Sequence, residues 1–159
     1  MLTSPMPFRL RIQILMHDTL EKIDSGWREW IGALDQVDGS RREEAGVCGY
    51  WSVKDLVAHL PFWERMALDH IHRWTFGLPR FGIDVEIANQ ANYLANHDRH
   101  FDLLYAEMAA QHEVTRQAVL GIEGEPDDDL RKRVADDTWD HYPEHTHQVV
   151  NRLEGKSAR

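Results

Sequence analysis

Cysteine is almost missing: Cys48 is the single one in 159 residues. That excludes an intrachain disulfide framework, a cysteine-rich zinc site and an iron–sulfur cluster. Basic residues are also short, with 18 Lys and Arg against 27 Asp and Glu and a formal net charge of −9 with neutral histidine. Phosphate backbones and anionic lipid surfaces are bound by concentrated Lys and Arg, so neither nucleic acid nor a membrane is expected as a partner. The chain nowhere holds the roughly 18 consecutive apolar residues of a membrane span. Met1 to Arg11 lacks the apolar block and small-residue cleavage site of a secretory leader, so a cytoplasmic location is expected. Period-2 alternation and internal repeats are absent as well, which removes sheet-based and solenoid architectures.

What is present is a moderate share of hydrophobic residues, 42%, enough for one ordinary core. The length fits a single domain, 1–159, without room for a second sizeable core. Ten histidines and six tryptophans are the unusual counts.

Apolar residues recur at helical spacing in four segments, which predicts an all-α four-helix bundle. Phe8 to about Leu34 carries Ile12, Leu15, Met16, Leu20, Ile23, Trp27, Trp30, Ile31 and Leu34, with Gly26 marking a bend. Asp35 to Tyr50 is a loop long enough to cover something. The next helix opens on Ser52 as N-cap, with Asp55 placed for a capping box and Trp51 and Leu56 spaced as a hydrophobic staple. Pro61 within it predicts a kink. Phe76 to Gly82 is a second loop. Asp84 can cap a third segment, Val85 to Leu120, in which the polar run Asn96 to His100 is a break or an exposed turn. Gly121 to Asp129 is rich in Gly, Pro and Asp and reads as a loop. The last helix is expected from near Asp137 or Thr138 to about Leu153, with Gly155 as its stop, although Pro143 is awkward for so early a start.

Chemistry is concentrated in histidine. His141 and His145 are four residues apart, so their rings project from one helical face and can share a metal ion. The competing reading is a solvated helix face. His59 stands among Leu56, Leu60 and Trp63 and so points inward, either as a neutral hydrogen-bonded core ring or as a third ligand. Three imidazoles leave an open position on zinc, nickel or iron. His70 is at helical spacing from Trp63 and Met66 and can line the same cavity. His97 and His100 look exposed. His17, His72 and His112 read as surface or core filler. Trp51, Trp63 and Trp139 are near the candidate ligands in sequence and are candidates to wall a pocket. Cys48 is in a loop without a neighbouring base, so no nucleophile motif competes.

The run Trp51-Ser52-Val53-Lys54-Asp55-Leu56-Val57-Ala58-His59-Leu60, followed by Trp63-Glu64, together with His141-Tyr142-Pro143-Glu144-His145 and Gln148, resembles the DinB-like superfamily of metal-binding four-helix bundles. Relatives there include thiol-dependent maleylpyruvate isomerases and bacillithiol transferases. Ile87-Ala88-Asn89 is similar to the polar start of the third helix in some members. The resemblance implies an up-down-down-up bundle over nearly the whole chain. It also implies a metal site of His59, His141 and His145, and a homodimer. His145 stands three before Gln148, matching the family's His-x-x-Gln pattern, but Thr146-His147 replaces the usual Arg-Gly.

Two functions are expected to compete. In one, a divalent-metal-dependent enzyme activates a water or a thiol, as a thiol transferase or small-molecule hydrolase, with Trp63, Glu64, His70 and Glu144 lining the pocket or handling protons around the ligands. In the other, a non-catalytic stress or resistance protein sequesters a small molecule beside a structural ion. Trp27, Trp30 and Trp74 add bulk that one thin bundle does not readily bury, which also suggests a two-fold dimer.

Overall fold

The computed structural model describes residues 6–156. They form six α-helices, α1 (Phe8–Leu34), α2 (Val53–Thr75), α3 (Val85–Asn96), α4 (Phe101–Leu120), α5 (Asp128–Asp137) and α6 (Tyr142–Leu153), with a short 3-10 turn at Gly39–Arg41. Among the described residues there is no strand beyond an isolated bridge between Cys48 and Trp51. No helix among them is long and apolar enough to cross a membrane.

Helix α2 is the centre of the molecule. Every residue from Val53 to Pro61 is buried, as expected of a helix surrounded by other elements, and α3, α4, α5 and α6 all touch it. Its start is held as the sequence predicts. Ser52 Oγ accepts from the Asp55 backbone N–H at 3.3 Å, and Asp55 Oδ2 accepts from the Ser52 N–H at 2.8 Å. Pro61 does not interrupt the helix, which runs on to Thr75.

Helix α1 packs chiefly on α6 and secondarily on α4, burying Ile12, Met16, Leu20, Ile23, Trp30 and Leu34. Gly26 permits a close approach. A Cβ built there would stand 2.8 Å from Cδ2 of Tyr142. Arg116 of α4 reaches back to Asp24 of α1, donating from Nη2 to Oδ2 at 3.0 Å.

The third expected segment divides into α3 and α4 at the polar run His97 to His100. Asp84 caps α3 by accepting from the Ile87 N–H at 3.0 Å. Most of α3 is exposed, and polar contacts dock it on α2. Asn92 Nδ2 donates to the Ala58 carbonyl at 3.2 Å, and Trp63 Nε1 donates to Asn89 Oδ1 at 3.0 Å.

Helix α5 departs most from expectation, because Gly121 to Asp129 reads as loop and the last helix is expected only from near Asp137. Asp127 caps it by accepting from the Leu130 N–H at 2.9 Å, and Leu130, Val134 and Ala135 are buried against the core. Asp128, Asp129, Arg131, Lys132, Arg133 and Asp136 give the segment too thin an apolar stripe to stand out. Thr138, at φ −133° and ψ −102°, then breaks the helix. The last helix therefore starts at Tyr142 rather than near Asp137, and Pro143 falls in its first turn, where a missing N–H costs nothing.

The tryptophans whose bulk suggested a dimer are accommodated within one chain. Trp30 is fully buried and Trp27 stacks on His112 with ring centroids 3.8 Å apart. Trp74 lies over Gly124, where a Cβ would meet its ring at 2.8 Å.

Gly26→Ala should destabilise the protein by about 1–3 kcal/mol, because the added methyl overpacks against the Tyr142 ring. Denaturant unfolding checks this. Gly32→Ala, on the same helix with nothing within 4 Å of the new methyl, should be neutral or stabilising.

Candidate metal centre

His59 projects from the second turn of α2, and His145 from the first turn of α6. His141 occupies the position just before α6 but already has helical backbone angles, φ −85° and ψ −43°. The four-residue relation to His145 therefore holds across the helix start. The three Nε2 atoms converge: His59 to His141 at 3.1 Å and His145 to His141 at 2.9 Å. His59 and His145 are each only 3% exposed. His147 is exposed and points away, as its two-residue offset from His145 predicts.

Protons alone satisfy this arrangement poorly. Gln148 Oε1 stands 2.7 Å from His145 Nδ1 and can only accept there, which places that ring's proton on Nδ1 and its lone pair on Nε2. His141 Nε2 touches both other Nε2 atoms and can present a proton or a lone pair, not both. A cation satisfies all three lone pairs together. Tetrahedral ligation at about 2.0–2.1 Å needs donors about 3.3 Å apart, a few tenths of an ångström beyond what is seen. The residues thus fit a divalent ion. Of the outer contacts that usually orient metal-bound imidazoles, His145 has its own in Gln148, whereas Nδ1 of His59 and of His141 is buried without a partner among the described residues.

Electrostatics favour the neutral rings that a metal requires. Burial, reinforced by the neighbouring imidazoles, lowers His59 to about 2 and His141 to about 3 from the usual 6.5. Burial also lowers His145, with the Gln148 hydrogen bond opposing it.

The triad opens on a cleft of about 1020 Å³. Its floor is one face of α2, where His59, Trp63, Met66 and His70 stand at successive helical steps. The loop after α1 does cover something, since Cys48, Tyr50 and Trp51 form a wall. Trp63, His70 and Glu144, candidates from the sequence, line the cleft. Trp139 does not; its ring lies instead beneath Lys22 Nζ, 5.6 Å from the centroid. Burial, followed by repulsion from Glu144, raises the Cys48 thiol above its usual range, which disfavours it as a nucleophile.

Glu64 is not at the cleft. Five residues beyond His59, it is turned about 140° around the helix and is 0% exposed inside the core. There Glu64 Oε1 accepts from the Tyr142 hydroxyl and lies 3.1 Å from His112 Nδ1. His112 is therefore a hydrogen-bonded core group, and helical spacing from Met108 and Thr115 was its signal in the sequence.

No family model matches the chain, and no curated protein matches it. A crystal structure of an uncharacterised protein from Escherichia coli UTI89 superposes with a TM-score of 0.74 at 17% identity, covering 90% of this chain and 96% of the other. At that identity the likeness concerns the fold alone.

Replacing His59, His141 or His145 by Ala should each abolish stoichiometric zinc binding, while His147→Ala and His17→Ala retain it, as read by metal analysis after dialysis. Gln148→Ala should weaken zinc affinity about 10–100-fold, the usual cost of an orienting partner. The metal-free protein should lose stability as pH falls from 6.5 towards about 3. In that window the unfolded chain takes up protons that the buried rings of His59 and His141 refuse, so the unfolded state binds more of them. Melting temperature against pH measures this. Replacing His59 by Phe should flatten the profile.

Proposed function

We propose that the chain is a DinB-like divalent-metal enzyme acting on a small molecule, as a thiol transferase or small hydrolase. The convergence of three neutral imidazole nitrogens at the floor of an open cleft carries this reading. The pairing of α1 with α6 and of α2 with α4 supports the four-helix, up-down-down-up arrangement implied by the resemblance. In that arrangement α3 and α5 are additions around the central helix.

Zinc or nickel suits three imidazoles best, with iron admitted. When bound, the ion supplies Lewis acidity and a lowered pKa for a water or thiol in its open position. The protein's own residues do the rest. Gln148 fixes the tautomer of His145, so that Nε2 faces the other two ligands. Trp51 and Trp63 pack edge-on to His59, at centroid distances of 5.0 and 6.2 Å, and keep water from that side of the triad. Trp63 is itself held by Asn89, so the floor of the cleft is rigid where a substrate would rest. Glu144 is an exposed carboxylate in the cleft lining and is placed to exchange a proton with solvent.

The resemblance also carries a homodimer, for which the exposed Val85, Ile87 and Leu94 of α3 offer apolar surface.

Cobalt substitution tests the enzyme reading. The loaded protein should show visible absorption that changes when a small thiol or azide is added, and tag-free preparations should turn over members of a thiol-transfer and hydrolase panel. A cobalt spectrum unmoved by any added ligand, together with no turnover, would replace this reading by that of a structural ion in a binding protein.

A further inference from the structure

The cleft holds a second polar group that the metal reading leaves unused. His70 stands eleven residues beyond His59 on the same face of α2, about 16 Å along the helix axis. Opposite it is Asp137, the last residue of α5, and both line the cleft. The two side chains are each nine-tenths buried, at 10% exposure. His70 Nε2 and Asp137 Oδ2 are 3.9 Å apart, beyond hydrogen-bond reach. Asp137 accepts no hydrogen bond among the described residues and its carboxylate opens on the cleft, while His70 Nδ1 is buried without a partner there. A largely buried carboxyl without a protein donor turns to whatever the cleft holds, water or a ligand.

We propose that His70 and Asp137 form a subsite for the protonated amino group of a small, largely apolar molecule whose other end reaches the three histidines. The proposal rests on the reading of the cleft as a substrate site and names the class of substrate. An ammonium group donates several hydrogen bonds and adds, at contact, a positive charge to the distant attraction of Arg133 for Asp137. The neutral ring of His70 can accept one of those bonds through Nε2, the nitrogen that faces Asp137. Between the two ends, Trp63 and Met66 provide an apolar floor. The rest of the lining points to the same sign of charge. Glu86, Asp136 and Glu144 are acidic. Arg133, the one Arg or Lys in the lining, is turned to Asp129 Oδ2 at 2.9 Å and to the Phe81 carbonyl at 3.1 Å. Burial, with repulsion from Asp136 and against the attraction of Arg133, raises Asp137 to about 7. A second metal ion fits less well, since Asp136 is engaged by Lys132 at 2.6 Å and only two donors remain.

Isothermal titration of the full chain with phenylbutylamine, phenylbutanol and phenylbutyrate separates charge from shape. At about pH 8, where Asp137 is ionised, the amine should bind at least about tenfold more tightly than the alcohol or the acid. The preference should persist in metal-free protein and in the His59→Ala variant, which loses the metal. Asp137→Asn should reduce the preference to about twofold or less, while Asp136→Asn keeps it. An amine that binds no better than the alcohol, or not at all at millimolar concentration, overturns the proposal, as does a preference that survives in a folded Asp137→Asn variant. The three-probe comparison on the unaltered protein decides the matter even if that variant fails to fold. Metal content is measured in the same samples. A chain that prefers the amine but binds no metal keeps this subsite and loses the metal reading, and the reverse result loses only the subsite.

Discussion

The hydrogen bond from the Tyr142 hydroxyl to Glu64, inside the core, is the contact on which the rest of the structure depends. It ties the first turn of α6 to the middle of α2, and it does so between the two candidate ligands at the start of α6. His141 precedes Tyr142 by one residue and His145 follows it by three, so the position of that turn sets both imidazoles relative to His59. Glu64 is also met by His112 from α4, and His112 stacks on Trp27 of α1, so α1, α2, α4 and α6 share the cluster. Removing one partner from such a buried polar set leaves the others uncompensated, which ties helix position to a few side chains. Gly26 belongs to the same arrangement, because the Tyr142 ring occupies the space a larger residue would need.

A central helix buried on nearly all sides can present different chemistry on opposite faces. One face of α2 gives His59, Trp63, Met66 and His70 to the cleft, while Glu64 faces the core. The same burial that stabilises the core keeps the histidines uncharged, so the energetic condition for metal binding is met by packing rather than by a dedicated charge partner. It likewise leaves Asp137 short of a donor. The cleft is therefore polar at both ends and apolar between them, a pattern suited to a ligand with two functional ends.

Sequence periodicity located the long helices because each buries one continuous stripe. Its failures have equally physical causes. Helix α5 buries only Leu130, Val134 and Ala135 and is otherwise charged, so it is made stable by docking on α2 rather than by its own pattern. Pro143 conflicted with an early start for the last helix, and that conflict was itself the signal, since proline favours the first turn. Glu64 follows Trp63 directly in sequence, but a five-residue offset from His59 turns it to the far side of the helix.

Local chemistry determined the all-helical class, the capped start of α2, the face shared by His141 and His145, and the inward direction of His59. Each depends on spacing within one helix or at its start, where backbone geometry dictates side-chain direction. The convergence of rings from α2 and the start of α6, the core network around Glu64 and the pairing of His70 with Asp137 were decided only by tertiary structure. Those relations join residues dozens of positions apart. Their distances are set by how helices pack, which depends on the volumes of buried side chains and on the fit of Tyr142 against Gly26.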